Sequence, residues 1–227
     1  MAKGRLIIGN RRYSSWSLRG WPAVRMAHLD VEEVVIPLST DGRVPGSTGA
    51  GKTPAVQALP SQRVPYLEHR GSQVWESLAI AEYCAEQASG LWPKDAAARA
   101  FARTISAEMH ASFRALRAAL PMNLGCIGRH ASLTPQVKAD IARIERLWSE
   151  ARRRFGSGGD FLFGEFTLAD AMYAPVVARF LSYAVPTCTE SRTYCEAVRT
   201  HPLVAEWYAS ADREPREWLQ ESYEQIA

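Results

Sequence analysis

Three side chains with hydroxyl groups lie near the amino terminus, just before a segment with helical spacing. Tyr13, Ser14 and Ser15 follow the apolar run at 6–8 and precede periodic residues that begin at Leu18. Free backbone N–H groups and the positive end of the helix dipole stabilise an anion at a helix N-terminus. About 3 kcal/mol of such stabilisation would lower the pKa of a thiol by about two units. The segment is therefore a candidate site for activating a thiol nucleophile, with an ordinary serine helix cap as the alternative.

A second polar pair, Glu76 and Ser77, follows a segment with the spacing of a β-hairpin. Two short β-type runs at 66–69 and 73–75 flank the turn residues 70–72, which include a glycine. The apolar residues after Ser77 have helical spacing, so both polar side chains are expected at a helix N-terminus. Ser77 is a candidate to bind a ligand carboxylate and Glu76 to bind an ammonium group, with simple helix capping as the alternative.

A proline precedes the first of these β-type runs. Pro65 cannot donate a hydrogen bond to a sheet, so it belongs at the first residue of a strand or on an edge. A cis bond between Val64 and Pro65 would turn the Val64 backbone outward. The Val64 N–H and C=O would then be available to pair with the backbone of a peptide ligand.

Composition restricts the class of protein. The chain has 227 residues, of which 47% are hydrophobic, and this is enough for one large domain or two small ones with a substantial core. Its net charge of +3 is small. It has no Lys/Arg run interleaved with aromatic residues, so nucleic-acid binding is not indicated. No apolar stretch approaches about 20 residues and the amino terminus leads directly into a strand, so we expect neither a membrane span nor a signal peptide, and a cytoplasmic location.

The cysteines do not indicate a metal or a catalytic thiol. They have no Cys-x-x-Cys spacing and no paired histidines at zinc spacing. Isolated thiols of this kind are usually small core residues, and we expect that role for Cys84, Cys126, Cys188 and Cys195.

The periodicity of apolar residues predicts a mixed α/β N-terminal part and an all-helical C-terminal part. Strands are expected at 6–9 and 33–38, with a helix between them, followed by a long loop at 39–61 that is rich in Gly, Pro, Ser and Thr. The hairpin and the helix near Glu76 complete this part. Residues 87–94 have the composition of a linker.

Beyond the linker, helix start signals recur. Asp95 is expected to cap a long helix that ends before Pro121, and Thr134 to cap a helix with proline at its first position. Thr167 and Asp170 are spaced to form a capping box before another apolar helix. The fold class is therefore α/β plus all-α.

The order of strand, hairpin and helix, with Val-Pro followed by Glu-Ser, resembles the glutathione-binding half of the thioredoxin-like domain in cytosolic glutathione S-transferases. The Thr-x-x-Asp box resembles the one that opens the core helix of that family's C-terminal domain, so the resemblance covers nearly the whole chain. It implies a glutathione S-transferase fold, with a thioredoxin-like domain at 1–86, a linker at 87–94 and a helical domain at 95–227 that carries the electrophile-binding side.

The resemblance also implies residue roles in the binding of glutathione, the cosubstrate. Val64 and Pro65 would hold its cysteinyl backbone, while Glu76 and Ser77 would hold its γ-glutamyl end. Either Lys52 or Arg63 would meet its glycyl carboxylate; these six residues are the candidate glutathione-binding set.

The first loop is similar to the Ser-Ser-Cys-Ser-Trp-Arg motif of zeta-class transferases. By position, Ser14 would activate the thiol with Ser15 as helper, and Arg19 would face the mouth of the site. Trp16 replaces the cysteine of that class, which weakens the maleylacetoacetate isomerase interpretation. Tyr13 is an alternative activator because several transferase classes use an early tyrosine hydroxyl.

The family implies a homodimeric detoxification enzyme that uses no metal and acts on an apolar electrophile by conjugation, peroxide reduction or isomerisation. Trp16, Met109 and Phe113 are candidates for the walls of the electrophile site, with a core role as the alternative. Two other functions remain open: a non-catalytic transferase-like binding module, and a cis–trans isomerase of a maleyl-type diacid in which Arg19 pairs with a substrate carboxylate.

Overall fold

The computed structural model describes residues 3–38 and 53–225, and its first part contains a four-stranded mixed sheet in the order β2-β1-β3-β4. β1 pairs parallel with β2 and antiparallel with β3, and β3 pairs antiparallel with β4. This arrangement confirms the predicted thioredoxin-like front end. The strands are β1 (Gly4–Gly9), β2 (Glu32–Ile36), β3 (Tyr66–His69) and β4 (Ser72–Trp75).

The predicted hairpin is formed by β3 and β4. Arg70 and Gly71 occupy its turn with φ values of 50° and 84°. Positive φ at both central residues suits the right-handed twist of a two-residue hairpin turn, and glycine adopts it without a steric penalty. The turn therefore fixes the register in which Tyr66 faces Trp75.

Helices α1 (Ser15–Met26) and α3 (Ser77–Gln87) pack against each other and against the sheet. Their apolar faces contribute to one core that also includes buried residues of β1 and β3. Gly20 allows α1 to approach the start of β3 closely, because a Cβ there would lie 2.8 Å from Pro65 Cγ. This contact holds the middle of α1 near the Val64–Pro65 segment.

The predicted long loop contains an element that its composition does not reveal. A one-turn helix, α2 (Pro54–Gln57), begins after Thr53, whose hydroxyl accepts a hydrogen bond from the Val56 N–H at 3.5 Å. A threonine N-cap followed by proline favours such a turn. Burial of Val56 anchors it.

The second part of the chain is helical, as predicted. Its central helix, α7, is buried at every residue except Leu181, and it packs against α1, α4 and α8. The order β-α-β followed by a hairpin, a helix and an all-helical region is the fold that the sequence predicts. The helices are α4 (Ala96–Ala111), α5 (Arg114–Ala119), α6 (Pro135–Phe155), α7 (Leu168–Ser182), α8 (Thr189–Thr200), α9 (Pro202–Ala211) and α10 (Glu221–Glu224), with a 3₁₀ turn at Arg216–Trp218.

One predicted helix is shorter than expected, because the chain leaves the helical conformation after Ala111. The helix capped by Asp95 does not continue to Leu120 but ends at Ala111, and α5 starts three residues later. Ser112 is extended and Phe113 has left-handed backbone angles, with φ 63° and ψ 43°. Because Phe113 is only 5% exposed, its burial in the core outweighs the backbone strain of that conformation.

The capping box at the start of α7 is confirmed. The Thr167 N–H donates to Asp170 Oδ2 at 2.8 Å, and the Ala169 N–H donates to the Thr167 hydroxyl at 3.3 Å. Asp170 also accepts from the Leu162 N–H and the Tyr194 hydroxyl, each at 3.1 Å. Burial raises the pKa of Asp170 to about 6, against the lowering effect of these donors. The box thus joins α7, α8 and the loop before them.

The structure also tests the predictions about the cysteines and about membrane-spanning segments. All four cysteines are free thiols. Cys84 and Cys195 are buried as expected, whereas Cys126 is only partly buried and Cys188 is exposed, so the core role predicted for Cys188 is wrong. Within residues 3–38 and 53–225, no helix has the length and hydropathy needed to cross a membrane.

Candidate functional site

Ser14 caps helix α1 from the inside of the protein. Its hydroxyl accepts a hydrogen bond from the Ser17 N–H at 3.3 Å and donates one to Ser17 Oγ at 2.7 Å. Ser17 Oγ in turn accepts from the Gly9 N–H at 3.0 Å. Ser14 is 4% exposed, and its hydroxyl caps the helix with both its donor and an acceptor position occupied by Ser17. This is the helix-cap role that the sequence left open as the alternative.

Tyr13 is tied to the C-terminal segment, which we define as residues 214–225. Its hydroxyl donates to the Glu224 carboxylate and accepts from the Gln220 N–H at 3.1 Å. Burial, and then the bond to Glu224, raises the pKa of Tyr13. The phenol is 5% exposed and has both its donor and an acceptor position occupied.

Ser15 differs from both neighbours. It is the first residue of α1 and is only partly buried. Its hydroxyl forms no hydrogen bond with the residues that the structure describes, whereas its backbone N–H bonds to the Tyr13 carbonyl at 3.0 Å. Among the three candidate hydroxyls, this is the one that remains available at the helix N-terminus, where the dipole favours an anion.

The Glu76-Ser77 pair lies at the start of α3, as predicted. Ser77 is fully buried and its Oγ has no hydrogen-bond partner among residues 3–38 and 53–225. A buried hydroxyl without a partner is costly unless a ligand or water satisfies it. Glu76 precedes the helix with φ 67° and ψ 123°, an uncommon conformation for a residue with a side chain. Such backbone outliers are concentrated at ligand sites.

The Glu76 carboxylate has two basic neighbours, a guanidinium group and an imidazole ring. Arg63 Nη1 donates to Glu76 Oε1 at 2.7 Å, and His110 Nε2 lies 3.5 Å from Glu76 Oε2. The Val64–Pro65 bond that follows Arg63 is cis. Pro65 is buried and Val64 is partly buried. The remaining candidate of this set, Lys52, lies outside the described residues.

Three basic side chains surround Trp16, and we call the four residues the Trp16 cluster: Trp16, Arg19, His110 and Arg117. The Arg19 and Arg117 guanidinium carbons lie 4.7 and 4.9 Å from the centroid of the Trp16 ring. The His110 ring meets the Trp16 ring edge to face at 5.1 Å. Since His110 also contacts Glu76, it joins the start of α1 to the start of α3.

Arg19 is the most deeply buried member of the Trp16 cluster, at 1% exposure. Its Nε donates to the Met172 carbonyl at 2.9 Å, but Nη1 and Nη2 have no partner in the described part of the chain. Burial, and then the charges of Arg117 and Arg179, lower the pKa of Arg19 well below its ordinary value. Arg19 therefore lies beneath Trp16 rather than at an open mouth.

Two of the predicted wall residues lie in the core instead. Met109 is fully buried and Phe113 is 5% exposed, and both belong to the hydrophobic cluster shared by the helices. Their side chains present almost no surface to a ligand. Trp16 alone among the apolar candidates is partly exposed next to Ser15.

Four residues that contact the candidate site were not predicted from sequence patterns: His110, Arg117, Glu214 and Glu224. His110 and Arg117 lie at the ends of α4 and α5, and they meet Trp16 only because the chain breaks at Phe113. No local pattern distinguishes them from surface cations. Glu214 is more than 200 positions from the loop it contacts.

The C-terminal segment fixes the backbone of the loop between β1 and α1. The Glu214 carboxylate accepts hydrogen bonds from the backbone N–H groups of Arg11 and Arg12. The Glu224 carboxylate accepts from Arg12 Nε at 3.0 Å and from Asn123 Nδ2 at 3.1 Å. A cavity of about 170 Å³ remains between the loop and the segment. The loop that carries Ser15 is therefore held from its outer side.

Comparisons with known proteins agree with this architecture. The family model for the N-terminal domain of glutathione S-transferases matches residues 50–86, and the model for the C-terminal domain matches residues 134–210, together half of the chain. Protein IN2-1 of Zea mays is 32% identical over 122 residues, which are 53% of this chain and 45% of the maize protein. The chain thus matches about half the length of that relative.

Solved structures are similar along almost the whole chain. A glutathione transferase homolog from Burkholderia, with bound glutathione, has a TM-score of 0.66 at 22% identity over 93% of this chain and 99% of that one. The tau-class glutathione S-transferase of mango has a TM-score of 0.64 at 18% identity over 99% of both chains. With matching models in both halves and this fold throughout, the chain belongs to the glutathione S-transferase family.

Proposed function

We propose that the protein is a glutathione transferase that binds glutathione at the starts of β3 and α3 and activates its thiol with Ser15. The observation that carries the binding site is the fully buried Ser77 hydroxyl, which has no partner in the described residues and belongs to the residue that directly follows Glu76. Ser77 and the N-terminal N–H groups of α3 would receive the γ-glutamyl carboxylate. Glu76 would receive the ammonium group.

The Arg63–Glu76 ion pair is consistent with this arrangement. The Arg63 side chain is 68% exposed and that of Glu76 36%, so the pair contributes at most about 1 kcal/mol and costs little to separate. When Glu76 binds the ammonium group, Arg63 is released to meet the glycyl carboxylate of glutathione. The backbone of Val64, before the cis proline, would pair with the cysteinyl residue.

Ser15 replaces Ser14 as the proposed activator. A donor hydroxyl beside the first turn of α1 stabilises a thiolate together with the helix dipole, and the thiol proton leaves to solvent. The Ser14 hydroxyl donates its hydrogen bond to Ser17 Oγ, and the Tyr13 hydroxyl donates its hydrogen bond to the Glu224 carboxylate. The Ser15 hydroxyl donates no hydrogen bond to any residue that the structure describes.

The test compares Ser15→Ala with Ser14→Ala and Tyr13→Phe. We expect Ser15→Ala to lower kcat/KM for glutathione conjugation about 100-fold, the usual cost of losing one positioned donor, and to raise the pKa of bound glutathione. Ser14→Ala should cost about 1 kcal/mol of stability as the loss of an N-cap, with near-normal activity per folded molecule. The absorbance of the thiolate as a function of pH measures the pKa of bound glutathione. Thermal unfolding measures the stability. Full activity in Ser15→Ala would show that Ser15 does not activate the thiol.

A second candidate function is a transferase-like binding module without catalysis. The occupied hydroxyls of Ser14 and Tyr13 favour it, because only Ser15 remains to activate a thiol. In that case calorimetry would detect glutathione binding to the wild type and to Ser15→Ala with equal affinity, and neither would turn over any acceptor. Glutathione conjugation by the wild type would exclude it.

The type of reaction and the assembly belong to the same proposal. Conjugation, peroxide reduction and isomerisation all begin from the thiolate, so the choice among them depends on the second substrate. A homodimer is expected because two-fold assembly is the commonest arrangement of soluble oligomers. Light scattering of the purified protein at micromolar concentration distinguishes a dimer from a monomer.

A further inference from the structure

The Glu76 carboxylate is oriented by side chains from outside its own helix. Glu76 is the N-cap residue of α3, but its side chain forms no capping hydrogen bond with that helix. Each of its oxygens is instead contacted by one basic side chain. Arg63 Nη1 lies 2.7 Å from Oε1, and His110 Nε2 lies 3.5 Å from Oε2. These two contacts therefore decide the direction in which the carboxylate faces a ligand.

The two contacts differ in how firmly they are held. Arg63 is mostly exposed, and an exposed ion pair of this kind is weak because a long side chain must be ordered to form it. The His110 side chain is only 24% exposed, and its ring meets the Trp16 ring edge to face at 5.1 Å. In the proposed function Arg63 leaves Glu76 for the glycyl carboxylate of glutathione. His110 then remains as the contact that orients Glu76.

The surroundings of the His110 ring indicate which nitrogen carries the proton. Nε2 faces the Glu76 carboxylate, whereas Nδ1 is buried and has no hydrogen-bond partner within the described ranges. A proton on Nδ1 would leave a buried donor without an acceptor, which is costly. The neutral ring is therefore assigned its proton on Nε2, where the N–H is directed at the carboxylate.

The charged groups around His110 keep the ring neutral at physiological pH. Burial lowers the pKa of His110, and the guanidinium groups of Arg19 on α1 and Arg117 on α5 lower it further. The Glu76 carboxylate raises it, but the result is below the ordinary value of 6.5. A neutral imidazole orients Glu76 without neutralising its charge. The carboxylate thus keeps its full attraction for a cationic group of a ligand.

We propose that His110 is a positioning residue for glutathione, which holds Oε2 of Glu76 so that Oε1, once released by Arg63, faces the γ-glutamyl ammonium group. The inference rests on the proposed function and adds a residue that does not itself contact the substrate. Because His110 packs on Trp16, which directly follows Ser15, it also joins this carboxylate to the loop proposed to activate the thiol. The other groups that bind glutathione belong to the hairpin and the start of α3.

Two variants separate the donor of His110 from its ring. His110→Phe keeps an aromatic ring against Trp16 but has no N–H to face Glu76. His110→Gln loses the ring but carries an N–H donor the same number of bonds from Cβ. The probe is S-methylglutathione, which has no thiol proton, so that thiol activation does not contribute to its binding. We expect His110→Phe to raise the Kd about fivefold at neutral pH and His110→Gln to stay within about twofold of the wild type.

A second ligand distinguishes positioning from structural damage. The deamino analogue of S-methylglutathione has hydrogen in place of the γ-glutamyl ammonium group, so Glu76 has no cation to receive. We expect the wild type and His110→Phe to bind this analogue with equal affinity. His130→Phe, at an exposed position, is the control and should bind both ligands as the wild type does. An equal loss of affinity for both ligands in His110→Phe, or no loss for either, would overturn the proposal.

The pH dependence of binding provides a signature that packing alone does not produce. Protonation of His110 places a second positive charge at Glu76 and opposes the ligand's ammonium group. The affinity of the wild type for S-methylglutathione should therefore fall about threefold between pH 7.0 and 5.5, as pH drops through the pKa of His110. The ligand's own carboxylates and ammonium group stay charged over this range. His110→Gln should show no such fall, and the same fall in that variant would contradict the proposal.

Turnover of 1-chloro-2,4-dinitrobenzene separates this proposal from the proposed function. A weaker affinity of His110→Phe for S-methylglutathione alone, without conjugation by the wild type, would support the positioning role and refute the transferase activity. Conjugation by both proteins with the same KM for glutathione would do the reverse. A KM raised about fivefold in His110→Phe with kcat nearly unchanged would support both. No binding of S-methylglutathione to the wild type at millimolar concentration would refute both.

Discussion

The two halves of the proposed site are held in place by contacts of very different range. Val64, Pro65, Glu76 and Ser77 lie within one hairpin and the start of the helix that follows it. The loop that leads to Ser15 is instead fixed by the C-terminal segment, through hydrogen bonds that join residues up to 212 positions apart. Glutathione binding should therefore depend on local structure, and thiol activation on the packing of the chain's far end against its beginning.

This difference implies that binding and activation can be disturbed separately. A change in the hairpin half should alter KM for glutathione, because those groups contact it equally in the ground and transition states. A change in the C-terminal segment should alter kcat, because it shifts a hydroxyl that matters most for the thiolate. The three variants below test this separation, from the largest expected effect to the smallest.

Ser77→Ala should produce the largest effect. It removes a buried hydroxyl that would bond to the γ-glutamyl carboxylate, and a hydrogen bond to a charged group is worth about 1.5–3 kcal/mol. We expect KM for glutathione to rise by about 10- to 100-fold with kcat at saturation nearly unchanged. Steady-state kinetics with varied glutathione measures both constants, and Ser72→Ala, at an exposed position of the same hairpin, is the control. A loss confined to kcat would contradict the local character of this half.

Glu214→Gln should affect the other half. The amide can accept from only one of the two backbone N–H groups that Glu214 now binds, at Arg11 and Arg12, so one buried donor loses its partner. We expect kcat to fall about tenfold, equivalent to about 1.4 kcal/mol, with KM for glutathione changed less. Glu206→Gln, which breaks an exposed ion pair with Arg25, provides the control. An unchanged kcat would show that the segment does not position Ser15.

Glu224→Gln should have the smallest effect at neutral pH and a distinct pH dependence. Burial raises the pKa of Glu224, but hydrogen bonds from Arg12 and Tyr13 outweigh it and lower the pKa overall. Because the folded pKa is depressed, this stabilisation is present above about pH 4.5 and is lost as pH falls through the folded pKa.

We expect Glu224→Gln to lower the unfolding free energy by about 1 kcal/mol at neutral pH and to flatten its decline below about pH 4.5. Denaturant unfolding at a series of pH values measures the slope. Glu221→Gln, at an exposed position of the same short helix, should leave the slope as in the wild type. The same acid slope in Glu224→Gln would mean that other carboxylates cause it.

Much of the fold could be predicted because its signals are local. The hairpin turn, the proline before β3 and the capping box at Thr167 are each specified within a few residues. The break at Phe113 could not be predicted, because helical periodicity continues through it and only burial in the core makes left-handed angles favourable there. The short helix after Thr53 was missed because one turn gives no periodicity.

The amino-acid sequence by itself determined the order of elements and the pair Glu76-Ser77 at a helix start, because neighbouring residues decide turns, caps and helix ends. It also placed Tyr13, Ser14 and Ser15 together at the start of α1, yet it could not distinguish their roles. Only the tertiary structure shows which of these hydroxyls are hydrogen-bonded, since Ser17 occupies that of Ser14 and Glu224 that of Tyr13. A hydroxyl's availability depends on the partners that packing brings to it, and for Tyr13 those partners come from the opposite end of the chain.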